Sequence, residues 1–310
     1  MYYLLEQGLT QRAIARALQF SPSTISRELQ RNKSGKLYFP STAQRKTRCR
    51  CFKQLRKLDK FPHLKQAVFR ALRKQWSPEQ ISAWLTRHFR EPEMRVAAET
   101  IYTYLYVLPR GALRKELLSH FRQFRTMRRK RGKGHAAHGP IPDLISIHER
   151  PAEVADRTVP GHWEGDLILG KDHHSALGTL VERTTRTTLL IPLKDKDALS
   201  VRQAFARRIK SLPRQMKLSM TYDRGGEMAQ HKLFTQETKM KVYFADPQSP
   251  WQRGTNENTN GLIRQYFPKG TDFHTVSTKQ ISKVQDLLNG RPRKVLNWQS
   301  PYEAMNELLR

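Results

Sequence analysis

The chain has 310 residues, of which 57 are Lys or Arg and 27 are Asp or Glu, giving a formal net charge of +30. This length allows two or three domains, and a hydrophobic content of 37% is enough for real cores. The excess charge favours a polyanionic partner such as nucleic acid, and its spread along the chain disfavours a membrane-surface protein, which would need one strongly amphipathic basic helix.

The N-terminus lacks the apolar stretch of a signal peptide, and no apolar run approaches the length needed to span a bilayer. We therefore expect a soluble, cytoplasmic protein with no membrane partner. The two cysteines, Cys49 and Cys51, form a single C-x-C, which is weak as a zinc site without further ligands at the usual spacing.

Residues 1–60 are predicted to form a helix-turn-helix DNA-binding domain. Residues 10–31 contain two short helical patterns, with Ser21 placed to cap the second helix and Pro22 at its first position. Gln19 stands where such turns usually have glycine. An ordinary helical hairpin is the alternative, but the polar, basic second helix favours DNA binding. The residues predicted to contact DNA are Ser21, Ser23, Ser26, Arg27, Gln30 and Arg31.

Residues 61–109 are predicted to form a second, similar domain. Ser77 and Gln80 have the spacing of a capping box, and the stretch ETIYTYLY supplies a second helix. Thr100 is a predicted DNA contact on that helix, whereas Tyr104 is predicted to lie in the core.

Residues 110–149 are predicted to be a basic linker. Ten basic residues and one acid lie between positions 110 and 134. Such a charge block is often a flexible arm that binds nucleic acid, although a merely solvated tether is compatible with the same composition. The arm residues predicted to contact DNA are Arg128, Arg129, Lys130 and Arg131.

In residues 150–310 the predicted elements are strands and helices in the order β-β-β-α-β-α-β-α, which predicts an α/β domain with a mixed five-stranded sheet. The predicted strands are 162–169, 176–183, 187–193, 218–222 and 241–245. The predicted helices are 197–211, 230–239 and 255–267.

Three acids fall where these elements can bring them together: Asp166 on the first strand, Asp223 after the fourth, and Glu257 at the start of the last helix. Carboxylates that converge in this way suit two Mg²⁺ ions, which support phosphoryl transfer, and the basic surroundings would hold the DNA. Any one of these acids alone is weak evidence for such a site. Glu164 is a rival for Asp166, because both point to one face of the strand.

Several long motifs resemble the insertion-sequence-thirty family of bacterial DDE transposases. They are HWEGDLILG, TYDRGGEMAQH, FADPQSPWQRGTNENTNGLIRQYFPKGTDF and LNGRPRKVLNW, with SPSTISREL and MRVAAETIYTYLY resembling the family's N-terminal DNA-binding elements. The resemblance covers nearly the whole chain. Ala97 and Ala98 depart from the Ser and His expected before the second recognition helix, which weakens its N-cap.

The resemblance implies a multidomain protein, with all-α helix-turn-helix domains followed by a ribonuclease-H-like catalytic domain. Asp166, Asp223 and Glu257 match the DDE triad as catalytic residues and metal ligands, with two Mg²⁺ ions per site and Mn²⁺ as a substitute. The enzyme would bind terminal inverted repeats and target DNA, cut 3′ ends with water and join them. At least a homodimer on paired ends, in a bacterial, nucleoid-associated setting, is implied.

Around the third acid we expect DNA contacts from Arg253, Arg264 and Lys269. Arg264 lies seven residues after Glu257, so it shares that helix face two turns later. Trp251 is predicted to pack against the base of the site.

Two other functions remain open from the sequence. One is a helix-turn-helix transcriptional regulator whose ribonuclease-H-like domain only assembles; the other is a nuclease without strand transfer. The presence of all three acids favours a transposase over a regulator, because a regulator does not need them. Apolar residues of the C-terminal region are candidates for a subunit interface or for packing within their own domain: Leu287, Leu288, Trp298 and Leu308.

Overall fold

A computed structural model describes residues 1–35, 37–51, 55–109, 111–119, 143–247 and 249–309. The chain forms two compact units, Met1–Lys60 and Phe61–Arg310. Within the described ranges, no helix is both long and apolar enough to cross a membrane.

The first unit is helical, and its centre is the predicted pair of short helices. Ser21 accepts the backbone N–H of Thr24 and so caps the second helix, with Pro22 at its first position. Gln19 adopts a φ of 55°, so the turn takes the left-handed conformation for which glycine is usual. Ile14 and Ile25 are buried between the helices. The helices of this unit are α1 (Tyr2–Glu6), α2 (Gln11–Ala17), α3 (Pro22–Asn32), α4 (Pro40–Cys51) and α5 (Lys57–Lys60).

The second unit begins with the other predicted helical region. Ser77 and Gln80 form the predicted capping box, and Tyr104 is buried as expected. Ala97 makes no side-chain cap, in agreement with the weak N-cap that alanine predicts. The helices are α6 (Pro62–Arg73), α7 (Pro78–His88), α8 (Ala98–Val107), α9 (Ala112–Ser119) and α10 (Glu153–Asp156).

A mixed five-stranded sheet follows, in the spatial order β3-β2-β1-β4-β5. The first three strands are antiparallel, whereas β4 and β5 run parallel to β1. The strands are β1 (His162–Leu169), β2 (Ala176–Glu182), β3 (Thr188–Pro192), β4 (Ser219–Tyr222) and β5 (Lys241–Phe244). Every predicted strand is confirmed, with ends that differ by at most one residue.

Helices cover both faces of this sheet. They are α11 (Ala198–Lys210), α12 (His231–Thr238), α13 (Gly254–Tyr266), α14 (Thr278–Asn289) and α15 (Pro301–Leu308). Short 3₁₀ helices lie at Pro92–Met94, Ile147–Glu149, Lys171–His173, Arg214–Met216, Gly226–Met228, Pro250–Arg253 and Lys294–Leu296.

Two apolar cores result, one on each face of the sheet. Trp163 packs with Phe205 of α11 on one face, whereas Ile168 packs with Ile263 of α13 on the other. Because side chains alternate along a strand, Glu164 and Asp166 share the α13 face with Ile168. Gly165 faces the opposite core, where an added Cβ would lie 2.7 Å from the Tyr222 ring. The mixed five-stranded sheet agrees with the ribonuclease-H-like fold that the family resemblance implies.

Polar contacts join the second helical region to the α/β domain. The Gln80 amide that completes the capping box also donates to the Pro292 carbonyl at 2.8 Å and accepts from Arg291 Nε at 2.9 Å. The Tyr266 hydroxyl donates to the Lys74 carbonyl at 3.0 Å. The second helical region therefore belongs to the same compact unit as the sheet.

Candidate active site

The register of two parallel strands brings Asp166 and Asp223 together. β1 and β4 pair with Glu164 opposite Thr221. Two residues further along are Asp166, within β1, and Asp223, directly after β4, so the two acids lie side by side on the same face of the sheet.

The guanidinium of Arg253 lies between the two carboxylates. Its Nη2 donates to Asp223 Oδ2 at 2.8 Å, and its Nη1 is 3.5 Å from Asp166 Oδ1. Nη1 also donates to the Gly165 carbonyl at 3.0 Å. Burial lowers the pKa of Arg253, but attraction to Asp223 and Asp166 outweighs burial, so the net shift is upward. One side chain thus neutralises part of the charge of both acids.

Asp166 is the more enclosed of the two, with 24% of its side chain exposed against 41% for Asp223. Burial raises the pKa of Asp166, and the Asp223 charge raises it further, whereas Arg253 opposes the shift. Asn260 donates to Asp166 Oδ2 at 2.7 Å. The amide oxygen of Asn260 is buried and accepts no hydrogen bond within the described chain. The Asn260 amide oxygen, which has no hydrogen-bond partner among the described residues, therefore belongs to a side chain that contacts the partly buried Asp166 carboxylate.

A polar stripe on α13 runs along β1. Asn256, Asn260 and Arg264 recur at four-residue spacing, which places them on one helix face. The Asn256 amide donates to the Glu164 carbonyl at 3.3 Å, and Arg264 Nη2 donates to the Leu169 carbonyl at 2.7 Å. The stripe fixes the helix that carries Glu257 along the strand that carries Asp166.

The rival acid, Glu164, has a different environment. Its side chain is fully buried, and its Oε1 accepts from Arg183 at 2.6 Å, with that arginine also buried. Its Oε2 accepts the backbone N–H of Asn256 at 2.9 Å. Burial lowers the pKa of Arg183, and Glu164 opposes that shift. All of these contacts are internal to the fold, so Glu164 joins β1 to the start of α13.

Glu257 lies in the first turn of α13, where a negative charge is favourable, and its side chain is exposed. Among the described residues, no three His, Cys, Asp or Glu side chains lie close enough to hold a metal ion together. The structure therefore brings together two of the three predicted acids. The oxygen donors Asp166, Asp223 and the Asn260 amide suit a hard cation, and the Arg253 guanidinium supplies positive charge between the two carboxylates.

Two predicted DNA contacts line an open cavity beyond Asp166. The cavity has a volume of about 440 Å³ and borders the end of β1. Arg264 is partly buried there, and Lys269 is exposed. Its lining includes Leu169, Gly170, His173, Asn260, Arg264 and Lys269. Arg253, the third predicted contact, is turned instead toward the acids.

The predicted DNA contacts of the first unit are all exposed on or next to α3: Ser21, Ser23, Ser26, Arg27, Gln30 and Arg31. Ser21 also serves as the cap of that helix. Thr100 on α8 is partly buried. The arm residues Arg128, Arg129, Lys130 and Arg131 lie outside the described residues.

One packing prediction is wrong. Trp251 does not pack against the base of the site, because 74% of the residue is exposed. Among the C-terminal apolar residues, Leu288 is buried in the core beside α13, whereas Leu308 is 45% exposed. Leu287 and Trp298 are partly buried.

Sequence reasoning missed the residues that organise the acids, namely Arg183, Arg253 as an ion-pair partner, Asn256 and Asn260. One signal was available: Asn256, Asn260 and Arg264 form a polar i, i+4, i+8 stripe in a helix expected to pack on a sheet. No comparable signal linked Arg183 to Glu164, because that pair depends on the turn after β2.

Two family descriptions match the chain. The integrase core domain family matches residues 156–250, and the helix-turn-helix domain family matches residues 2–32. The first match includes Asp166 and Asp223, and the second covers α3.

The chain is also similar to known transposases along nearly its whole length. The chain is 46% identical over 307 residues to the transposase for insertion sequence element IS1086 of Cupriavidus metallidurans, covering 98% of this chain and 91% of that protein. It is 44% identical over 309 residues to the transposase InsI for insertion sequence element IS30A of Escherichia coli, covering 97% and 80%. Identity to the transposase for insertion sequence element IS4351 of Bacteroides fragilis is 37% over 314 residues, covering 99% and 93%.

Proposed function

The chain belongs to the insertion-sequence-thirty (IS30) family of transposases, and from this premise we propose that it binds the terminal inverted repeats of an insertion sequence and catalyses DNA cleavage and strand transfer. The observation that carries the catalytic part is the pair Asp166 and Asp223, which lie on two neighbouring parallel strands and are joined through Arg253. Glu257 would complete the triad from a helix that Glu164 and Asn260 hold against the same strand.

The proposed chemistry has two phosphoryl transfers. In the first, a water oxygen attacks the phosphorus at the element's end, the P–O3′ bond breaks, and the 3′ oxygen leaves as a hydroxyl after taking a proton. In the second, that 3′-OH attacks a target phosphodiester, and the target's own 3′ oxygen leaves. The overall result is DNA joined to DNA without an external energy source.

Asp166, Asp223 and Glu257 would hold two Mg²⁺ ions, for which Mn²⁺ could substitute. Bound metal would supply charge stabilisation for the attacking and leaving oxygens. The protein's own contribution is to hold the carboxylates at fixed positions and to place cations around them. Arg264 and Lys269, at the cavity beside Asp166, would bind the phosphates that flank the reacting one.

DNA recognition would be divided along the chain. Residues 1–60 would read the terminal repeat through the exposed face of α3, as helix-turn-helix proteins read the major groove. Residues 61–109 would form a second helix-turn-helix-like domain, and residues 110–149 a basic linker that binds phosphates. Residues 150–310 would form the catalytic domain. Because the substrate is bacterial DNA, the proposal includes a cytoplasmic, nucleoid-associated location.

We expect at least a dimer on paired ends, because each chain has one triad and transposition joins two ends. Mixing a variant with a dead triad, Asp223→Asn, with a variant that no longer binds the ends tests this arrangement. Joining by the mixture, when each variant alone is inactive, supports action in trans. Full joining by a strict monomer on a single end would contradict it.

The proposed reaction is tested by incubating the protein with each candidate end and Mg²⁺, then mapping nicks and joints at nucleotide resolution. A transposase produces 3′ nicks at the repeat boundary and covalent joints to target DNA. Nicks without joints would identify a nuclease, and end binding without nicks would identify a regulator.

A further inference from the structure

An exposed tryptophan lies two residues before Arg253, the arginine that contacts Asp166 and Asp223. Trp251 is 74% exposed, whereas Trp163 is 1% and Trp76 is 6% exposed. Tryptophan has a large apolar surface, and leaving it in water forgoes stabilisation that burial would provide. The exposed indole of Trp251 therefore does not stabilise the fold, and its apolar surface is available to a ligand.

The backbone that carries this side chain is held in place. The amide of its neighbour Gln252 forms two hydrogen bonds with Asp246, accepting the backbone N–H at 2.8 Å and donating to Oδ2 at 2.9 Å. Asp246 also pairs with His148 at 2.8 Å and with Arg224 at 3.5 Å. The Trp251 carbonyl accepts the N–H of Gly254. The indole is thus presented by an anchored 3₁₀ turn.

This turn leads directly to the catalytic pair. Arg253, two residues after Trp251, contacts both Asp166 and Asp223. A 3₁₀ helix rises about 2 Å per residue, so the backbone of Trp251 is within a few ångströms of the backbone of Arg253. A phosphodiester seated at the carboxylates would therefore have its neighbouring nucleotides within reach of the indole.

The surroundings favour a nucleobase over a protein partner. Protein interfaces place their aromatic residues within a larger apolar patch. Trp251 is instead followed in the chain by Gln252 and Arg253, and Gln252 is hydrogen-bonded to Asp246, which also pairs with the partly exposed Arg224. An aromatic ring beside cations is the combination that binds single-stranded nucleic acid, in which the ring stacks on a base and the cations bind its phosphates.

From these observations we infer that Trp251 is a stacking site for an unpaired nucleobase adjacent to the reacting phosphate. The inference rests on the proposed function, because that function places DNA at the carboxylates. Stacking would hold the duplex end open there, which gives the attacking oxygen access to a phosphate that base pairing would otherwise constrain. The proposed ligand of Trp251 is any base with an exposed face, and no particular sequence is required.

The binding test compares two labelled probes of equal length, oligothymidylate and a strand of abasic deoxyribose phosphates, by fluorescence anisotropy of the full chain. The salt concentration is kept high enough to weaken purely ionic binding. The wild type should prefer oligothymidylate by roughly tenfold, the effect of stacking one base. Trp251→Ala should lose this preference, and Trp251→Phe should keep most of it. Val295→Ala, which removes an apolar group that is 70% exposed, should behave as wild type.

Intrinsic tryptophan fluorescence tests whether the bound base lies against Trp251. Oligothymidylate should quench the wild-type emission more than that of Trp251→Phe, because the quenched indole is absent from that variant. Equal quenching, or a preference for bases that survives in Trp251→Ala, would overturn the inference.

A separate cleavage experiment distinguishes failure of the stacking site from failure of the proposed function. On the element's ends with Mg²⁺, Trp251→Ala should cut fully paired DNA more slowly than wild type, and a mismatch beside the cleavage position should restore its rate. Failure of the wild type to cut any end would refute the proposed function and with it the active-site role of Trp251. Normal cutting by the wild type with an unrescued or unaffected Trp251→Ala would refute the stacking site alone.

Discussion

The buried carboxylate of Glu164 accepts the backbone N–H of Asn256 at 2.9 Å, and so fixes the first turn of α13 to β1. The same carboxylate accepts from Arg183 at 2.6 Å. A strand and a helix that carry different members of the proposed triad are therefore joined through an acid that is not a member. This contact separates the roles of two acids that the strand pattern alone leaves equivalent.

Glu164→Gln should destabilise the chain, because it removes the ion-pair partner of the buried Arg183 guanidinium. Removing one member of a buried ion pair costs about 3–5 kcal/mol. Chemical denaturation monitored by fluorescence measures this loss. Asp166→Asn is the matched control on the same strand face, and its free energy of unfolding should be unchanged or higher, because burial raises the pKa of Asp166. Equal destabilisation by both substitutions would contradict the distinction.

Substitution of the triad should abolish chemistry and spare binding. Asp166→Asn, Asp223→Asn and Glu257→Gln each remove a charge without changing bulk, so cleavage and joining should be lost while end binding persists. Gel-based cleavage and anisotropy on the same DNA ends measure the two properties separately. An active Asp166→Asn enzyme beside a folded but inactive Glu164→Gln enzyme would show that Glu164 is the catalytic acid.

Arg253→Gln should strengthen Mn²⁺ binding in the absence of DNA. The guanidinium lies between Asp166 and Asp223, so a metal must compete with it for both carboxylates. A hydrogen bond to a charged group contributes about 1.5–3 kcal/mol, which corresponds to roughly ten- to a hundredfold in affinity. Calorimetric titration measures the change. Arg264→Gln is the control, because the Arg264 guanidinium donates to the carbonyls of Leu169 and Pro268. An unchanged or weaker affinity in Arg253→Gln would contradict the competition.

The first recognition helix and the basic arm should affect DNA binding differently. Ser23→Ala and Arg27→Ala should change the preference among end sequences, because both residues are exposed on α3. Joint replacement of Arg128, Arg129, Lys130 and Arg131 should weaken binding to all DNA and lower the salt slope by roughly 0.9 per lost phosphate contact. Affinity measured over a salt series separates the two effects. A changed sequence preference with an unaltered salt slope in the arm variant would exclude the arm role.

Acidification should destabilise the α/β unit through His162. This ring is buried at the start of β1, with Nδ1 2.7 Å from the Ser219 hydroxyl. Burial lowers its pKa below 6.5. The unfolded chain therefore binds more protons just below pH 6.5, so stability present above that pH is lost as the pH falls toward the folded-state pKa, by at most about 1.4 kcal/mol per pH unit. Melting temperatures across this range should fall less steeply in His162→Gln than in wild type, and the exposed His63→Gln should match wild type.

Local pattern accounts for much of what sequence predicted correctly. Short strand-like runs between turn residues located the five strands, and Ser21 and Ser77 located helix starts, because such signals depend on neighbours within a few residues. The proximity of Asp166 and Asp223 also followed from the order of the elements. The prediction that Trp251 packs against the base of the site was wrong. Aromatic residues are usually buried, whereas the exposure of Trp251 depends on where the anchored turn ends.

The sequence by itself therefore determined the order of elements, the helix-turn-helix surface and the acids near the end of the sheet. Only the tertiary structure decided how those acids differ. Glu164 and Asp166 share a strand face, and it is the buried Arg183 against one and Arg253 with Asn260 against the other that separate them. Strand register and helix docking set these contacts between residues up to 94 positions apart, and such long-range pairings have no signature in any local pattern.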